Sequence, residues 1–135
     1  MLPSLHDNFL VAYEVNCESR QIRLRATPDP TDTAKAEMRP HTIIFTGVEG
    51  YQFENDAFGN IIFSLQAVSI EQVLAEYGAR IVESHHQAGA PGPWAADLAS
   101  ATEVLKAKGV RGFVLSSSYG LSGWILAKEA FVEQA

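Results

Sequence analysis

Serine, histidine and carboxylate side chains carry most acyl- and phosphoryl-transfer chemistry, and several places in this chain bring them close in sequence. Gly120-Leu121-Ser122-Gly123-Trp124 approaches a nucleophile elbow, which needs a glycine on either side of the serine so that a strained turn can expose its hydroxyl. Trp124 stands where the second glycine belongs, so the motif fails. Ser116, Ser117 and Ser118 could join a histidine and Asp97 in a spatial triad. A serine run at a strand end more simply satisfies backbone groups in a turn. His6-Asp7 is an imidazole–carboxylate dyad of the kind that ligates divalent ions, and His85-His86 adds two more nitrogen donors. A small metal-dependent hydrolase built on His6, Asp7, His85 and His86 is therefore one functional reading. Against it, adjacent histidines do not share a helix face, and neither His-x₃-His nor His-Glu-x-x-His occurs. The spacing assigns no metal ligand set and no catalytic residue. Phosphate-cradling glycine loops are absent too, so no cofactor is expected.

Cys17 ends an alternating segment on its apolar side, which predicts a buried small hydrophobe in place of a nucleophile. Glu49, Glu54 and Asp56 cluster beside Gly47 and Gly50; they offer a general acid/base pair only if buried, and a solvated turn otherwise. The aromatics are more suggestive. Tyr51, Phe53, Tyr119 and Trp124 sit in or beside glycine-containing strand connections, where amphipathic rings pack sheet ends or anchor a partner. The binding residues expected from this pattern are Tyr51, Tyr119 and Trp124, with Glu49 and Asp56 steering the encounter.

The elements that must position these side chains follow from periodicity. Phe9, Val11, Tyr13, Val15 and Cys17 alternate with polar neighbours, and after Glu18-Ser19-Arg20 the alternation resumes at Ile22, Leu24 and Ala26. This predicts a β-hairpin with its arginines facing solvent. Residues 27–40 carry Pro28, Pro30 and Pro40, which predicts an irregular excursion with one helical turn over 34–38. Strands are expected over 42–48, around Tyr51 and Phe53, and over 60–67. Ser69-Ile70-Glu71-Gln72 is a capping box, and its helix is expected to stop at Gly78, with a short strand over 79–83 and a loop over 85–93. A second helix starts at Pro93 and ends at Gly109. A hairpin of 110–116 and 124–130 closes the chain. Strands in antiparallel-capable groups, without β-α-β alternation, predict one α+β domain over 1–135, with a mainly antiparallel sheet of about six strands and two helices.

Composition narrows the function classes. The chain has 135 residues, 47% apolar and 19% charged, with a formal charge of −6. That is a globular composition, and its acidity disfavours both nucleic acid and anionic membrane surfaces as partners. A single cysteine fits a reducing compartment. With no basic-then-apolar leader at Met1-Leu2-Pro3-Ser4 and no apolar run of spanning length, the expected location is the cytoplasm.

Leu5-His6-Asp7, Asn60-Ile61-Ile62-Phe63 and Ser117-Ser118-Tyr119-Gly120 with Gly123-Trp124 carry a resemblance. The chain resembles small bacterial proteins, sometimes grouped with toxin immunity proteins, over residues 5 to about 128. The resemblance implies a cytoplasmic protein that acts by binding, with no catalytic residues to carry over. Three functions are thus in play. They are a non-catalytic module for a protein partner, of immunity or regulatory type, the metal-dependent hydrolase, and a small-molecule-binding domain using the turn from Ser116 to Gly123. Homodimerisation through the apolar strands is compatible with each.

Overall fold

The computed structural model describes residues 2–35 and 37–133. Met1 of the expected leaderless start and Ala36 of the expected helical turn lie outside the described residues. The first hairpin forms from β1 (Phe9–Asn16) and β2 (Gln21–Thr27). Its alternation breaks at a bulge between Leu10 and Ala12. The bulge places Leu10 in the core and leaves Val11 52% exposed, which the strict alternation had inside. Cys17 is exposed, not buried. The strand ends one residue earlier, where the Asn16 side chain accepts from Glu18 and Ser19 N–H and turns the chain.

After a single 3₁₀ turn at Thr33–Lys35, β3 (His41–Thr46), β4 (Gly50–Glu54) and β5 (Asn60–Val68) follow. The chain ends in β6 (Arg111–Tyr119), β7 (Ser122–Ala127) and β8 (Glu129–Val132). Neighbouring strands are all antiparallel, in the order β4-β7-β6-β5-β1-β2-β3-β8. The two ends of that order are joined by the chain itself. β3 continues into β4 across Gly47, and β7 into β8 across Lys128. Backbone bonds bridge the break, Lys128 N–H to Thr46 C=O at 3.0 Å and Glu49 N–H to Leu126 C=O at 2.8 Å. The sheet therefore closes into a barrel, an arrangement that protects strand edges. The expected count of about six strands is corrected to eight, because two long ribbons each bend in the middle. Gly47 permits one bend with φ 61°, a left-handed conformation that favours glycine.

Inside the barrel pack Leu10, Ile22, Leu24, Ile43, Phe45, Ile62, Phe113 and Ile125, with Phe45 and Phe113 edge-on at 5.2 Å. Outside β6 and β7 a second apolar layer holds two helices. α1 runs Ile70–Ala88 and α2 runs Leu98–Ala107. Both faces of β7 are thereby covered, which is why Gly123 to Ala127 are all buried. The expected stop at Gly78 is corrected: α1 continues through residues 79–88, so the expected strand and the first part of the loop are helical. Gly78 is instead a point of close packing, since a Cβ there would lie 2.9 Å from Leu98 Cδ1. The true stop is Gly89, at φ 74°. Pro93 opens a 3₁₀ turn (Pro93–Ala96), and Asp97 caps α2 through Ala99 N–H. Among the described residues no helix is long and apolar enough to cross a membrane.

Ser69 caps α1 as its sequence predicts, its hydroxyl accepting from Gln72 N–H at 3.0 Å. Ser69→Ala is expected to cost about 1 kcal/mol, or roughly 3 °C in Tm for a chain of this size. Urea denaturation reads it directly, and an unchanged midpoint would show that the cap contributes nothing.

Candidate functional site

Where β1 leaves β5, the barrel wall has a seam. The two strands pair only at Phe9–Ile61 and Leu10–Asn60, and beyond that point the turn between β4 and β5 takes over. Asp56 and Asn60 build this turn. The Asp56 carboxylate accepts from Phe58 N–H at 2.9 Å, Asn60 Nδ2–H at 2.9 Å and the Tyr13 hydroxyl at 2.8 Å. Asn60, 3% exposed, accepts at Oδ1 from Ala57 N–H at 3.0 Å and Leu121 N–H at 2.8 Å. These bonds hold the Asp56 carboxyl below its usual range, Asn60 contributing most, and the same contact raises the Tyr13 phenol. Asp56 is thus fully engaged in holding a turn, a role its position in a short acidic run does not reveal.

The other two carboxylates of that run are also spoken for, each separately. Glu49, with a side chain only 17% exposed, lies 3.4 Å from Lys108 Nζ and 3.7 Å from Arg20. Glu54 pairs with Arg80, which lowers its carboxyl. No two of the three face one another as an acid/base couple. The serines are similarly committed to structure. Ser117 Oγ donates to Leu121 C=O and Ser118 Oγ to Ile61 C=O, both within β6 and not in a turn. The tight connection is Gly120-Leu121.

His6 lies 3.4 Å from Asp7 and edge-on to Phe63 at 5.5 Å. His85 and His86 occupy the last turn of α1. Among the described residues no three His, Cys, Asp or Glu side chains come together as a metal site, so His6, Asp7, His85 and His86 are not gathered into one centre.

The aromatic residues do converge. Tyr13 meets Phe53 edge-on at 5.7 Å, and Phe53 meets Tyr51 at 5.3 Å. On the other side of Tyr13, a hollow of about 400 Å³ is bordered by Val11 and Phe58. Tyr51 and Tyr13 are each 39% exposed, and Phe58 is 95% exposed at the tip of the Asp56–Asn60 turn. A continuous apolar strip therefore runs from Phe58 through Val11, Tyr13 and Phe53 to Tyr51. Sequence reasoning found Tyr51 and missed Tyr13 and Phe58. The available signal was a large ring inside the turn Asn55-Asp56-Ala57-Phe58-Gly59, with no alternating partner to bury it. Tyr119 is exposed at the end of β6. Trp124, expected at the surface, is only 2% exposed; it points outward from β7, but α1 covers it, with Tyr77 6.5 Å away.

Between β4 and α1 a cleft of about 440 Å³ opens beside Trp124. A second pocket, about 270 Å³, lies between the β1–β2 turn and β4, bordered by Cys17, Arg20 and Glu49. Comparison with protein families, curated proteins and solved structures finds no match for this chain.

Proposed function

We propose that this chain is a non-catalytic binding module for a protein partner, which it contacts through the strip from Phe58 to Tyr51. The observation that carries the reading is Phe58. Its ring stands almost wholly in solvent, on a turn where the residue itself adopts φ 62°. Such a conformation is costly for a bulky side chain. Hydrogen bonds accepted by the Asp56 carboxylate and by Asn60 Oδ1 hold the turn in place. A rigid aromatic anchor of this kind loses little entropy when a partner covers it. Anchors of this type dominate interface energies. The net charge of −6 favours a basic partner, because complementary charge speeds encounter and excludes like-charged competitors. The resemblance implies an immunity-type binding protein, and the acidic balance is compatible with a basic toxin as its partner.

The test is capture of the tagged full chain from an extract of its own cells, with stoichiometry read by mass spectrometry, beside the variant Phe58→Ser. A saturable, near-stoichiometric protein is expected on the parent chain. Its retention on Phe58→Ser should fall by about 30-fold, the scale of one anchor residue, while Tm stays unchanged because so exposed a ring stabilises little. Equal retention by both chains, or no saturable partner on either, would remove this reading.

A further inference from the structure

We propose that the cleft between β4 and α1 is a binding site for a small apolar ligand carrying an acceptor oxygen, anchored by the indole N–H of Trp124. The cleft meets the partner strip at Tyr51 and Phe53, which border both, but its anchor Trp124 lies outside that strip. At about 440 Å³ the cleft falls in the size range of small-molecule sites, which are mostly apolar with a few placed polar groups. Ile81 and Pro91 offer apolar wall, and Ser84 and Gln52 offer side-chain donors. A side recess of about 110 Å³ runs on past Trp124 to Tyr77 and Arg80.

Trp124 borders both spaces. It is 98% buried in the sense that only 2% of its surface is exposed. Among the described residues its Nε1 is the one buried side-chain nitrogen or oxygen without a hydrogen-bond partner. An indole nitrogen only donates, and buried donors are nearly always paired. What it lacks is an acceptor: the Glu54 carboxylate that borders the same recess is taken by Arg80 and by Gln52 Nε2–H at 3.3 Å, and no other acceptor reaches the indole. The ligand class follows from that one unmet donor: an apolar body to lie on Ile81 and Pro91, and a carbonyl or carboxylate oxygen to receive the N–H. The second tryptophan supplies an internal control, since Trp94 Nε1 already donates to Glu49 C=O at 3.4 Å.

The experiment titrates the full chain with benzoate, benzamide and toluene while following the two indole N–H proton signals by NMR. Ligands of this size bind at roughly millimolar concentration. The expected result is a saturable downfield shift of the Trp124 signal with benzoate or benzamide, no shift with toluene, and a stationary Trp94 signal. Response to benzoate alone identifies a carboxylate ligand, and response to both a neutral carbonyl. Ser84→Phe, which narrows the cleft from the half-buried side of α1, should abolish the shift in a chain that remains folded by the rest of its spectrum. A stationary Trp124 signal with every probe, an equal response to toluene, or an undiminished shift in Ser84→Phe would overturn the proposal.

Discussion

Asn60→Leu is expected to lower unfolding free energy by about 3 to 5 kcal/mol, the cost of stranding buried donors. The substitution keeps the number and branching of side-chain heavy atoms but leaves Leu121 N–H and Ala57 N–H without the Oδ1 that accepts both. It also removes the donor that fixes Asp56. Three separate pieces lose a common fastening: the Asp56–Asn60 turn, the Gly120–Leu121 connection, and Tyr13 of β1 through Asp56. The Phe58 turn should loosen with them, so affinity for the proposed partner should fall alongside stability. Asn60→Asp separates the two halves of the role. It preserves an acceptor for the amides but sets a second carboxylate against Asp56. Repulsion raises the carboxyl of the new acid above its unfolded value, so the penalty is present at pH 7 and eases as pH falls toward about 4. The parent Asp56 behaves in the opposite sense. Its carboxyl is held below 3.8, so the parent protein keeps this contribution above that value and loses it as pH falls further. Urea titrations of both variants at pH 7 and pH 4 measure the effect. Parent-like stability in Asn60→Leu would show that the network contributes nothing.

Gly123→Ala should cost about 3 kcal/mol, at the upper end for overpacking. A Cβ there would collide with the Gln52 carbonyl oxygen and lie 2.9 Å from Phe53 Cδ1. The first obstacle is backbone, which cannot rotate aside as a flexible side chain does. Among the described residues β4 has a strand partner only in β7, so the strain is relieved by lifting β4 away from β7. Hydrogen exchange should report this locally: amides of Tyr51 to Glu54 lose protection while those of β1 and β2 change little. Gly59→Ala is the control, because nothing lies within 4 Å of its added methyl and the change should stay within about 0.5 kcal/mol. Equal stability of the two variants would show that the β4–β7 approach tolerates a side chain.

Strand positions were largely legible because one face of most strands is buried and the other is not, as in Ile22, Leu24 and Ala26 against Arg23 and Arg25. The capping box at Ser69 was legible for the same local reason. What the chain does at a distance was not. Gly78 looks like a stop because glycine favours helix ends, yet its cause is Leu98, twenty positions on in α2. Cys17 and Val11 follow the alternation but land outside, because a bulge and an early turn shift the phase of the strand. Trp124 looks like a surface anchor beside glycines, and only the packing of α1 across β7 shows it to be covered. Phe58 and Tyr13 become a strip only when β1 and the Asp56 turn meet, a tertiary event with no local signature.

The closing of the barrel also sets when this protein can be complete during its synthesis. β1, β2 and β3 form one meander, and β5 and β6 with β7 another, each from neighbours in the chain. The last ladder joins Val132 to Ile43, a separation of about ninety residues, and distant pairings of this kind are slow to form. Until β8 has emerged from the ribosome, β3 must wait with one edge bare. A nascent chain is therefore adhesive at that edge until β8 is available, and a helper that masks strand edges would act on it in that interval.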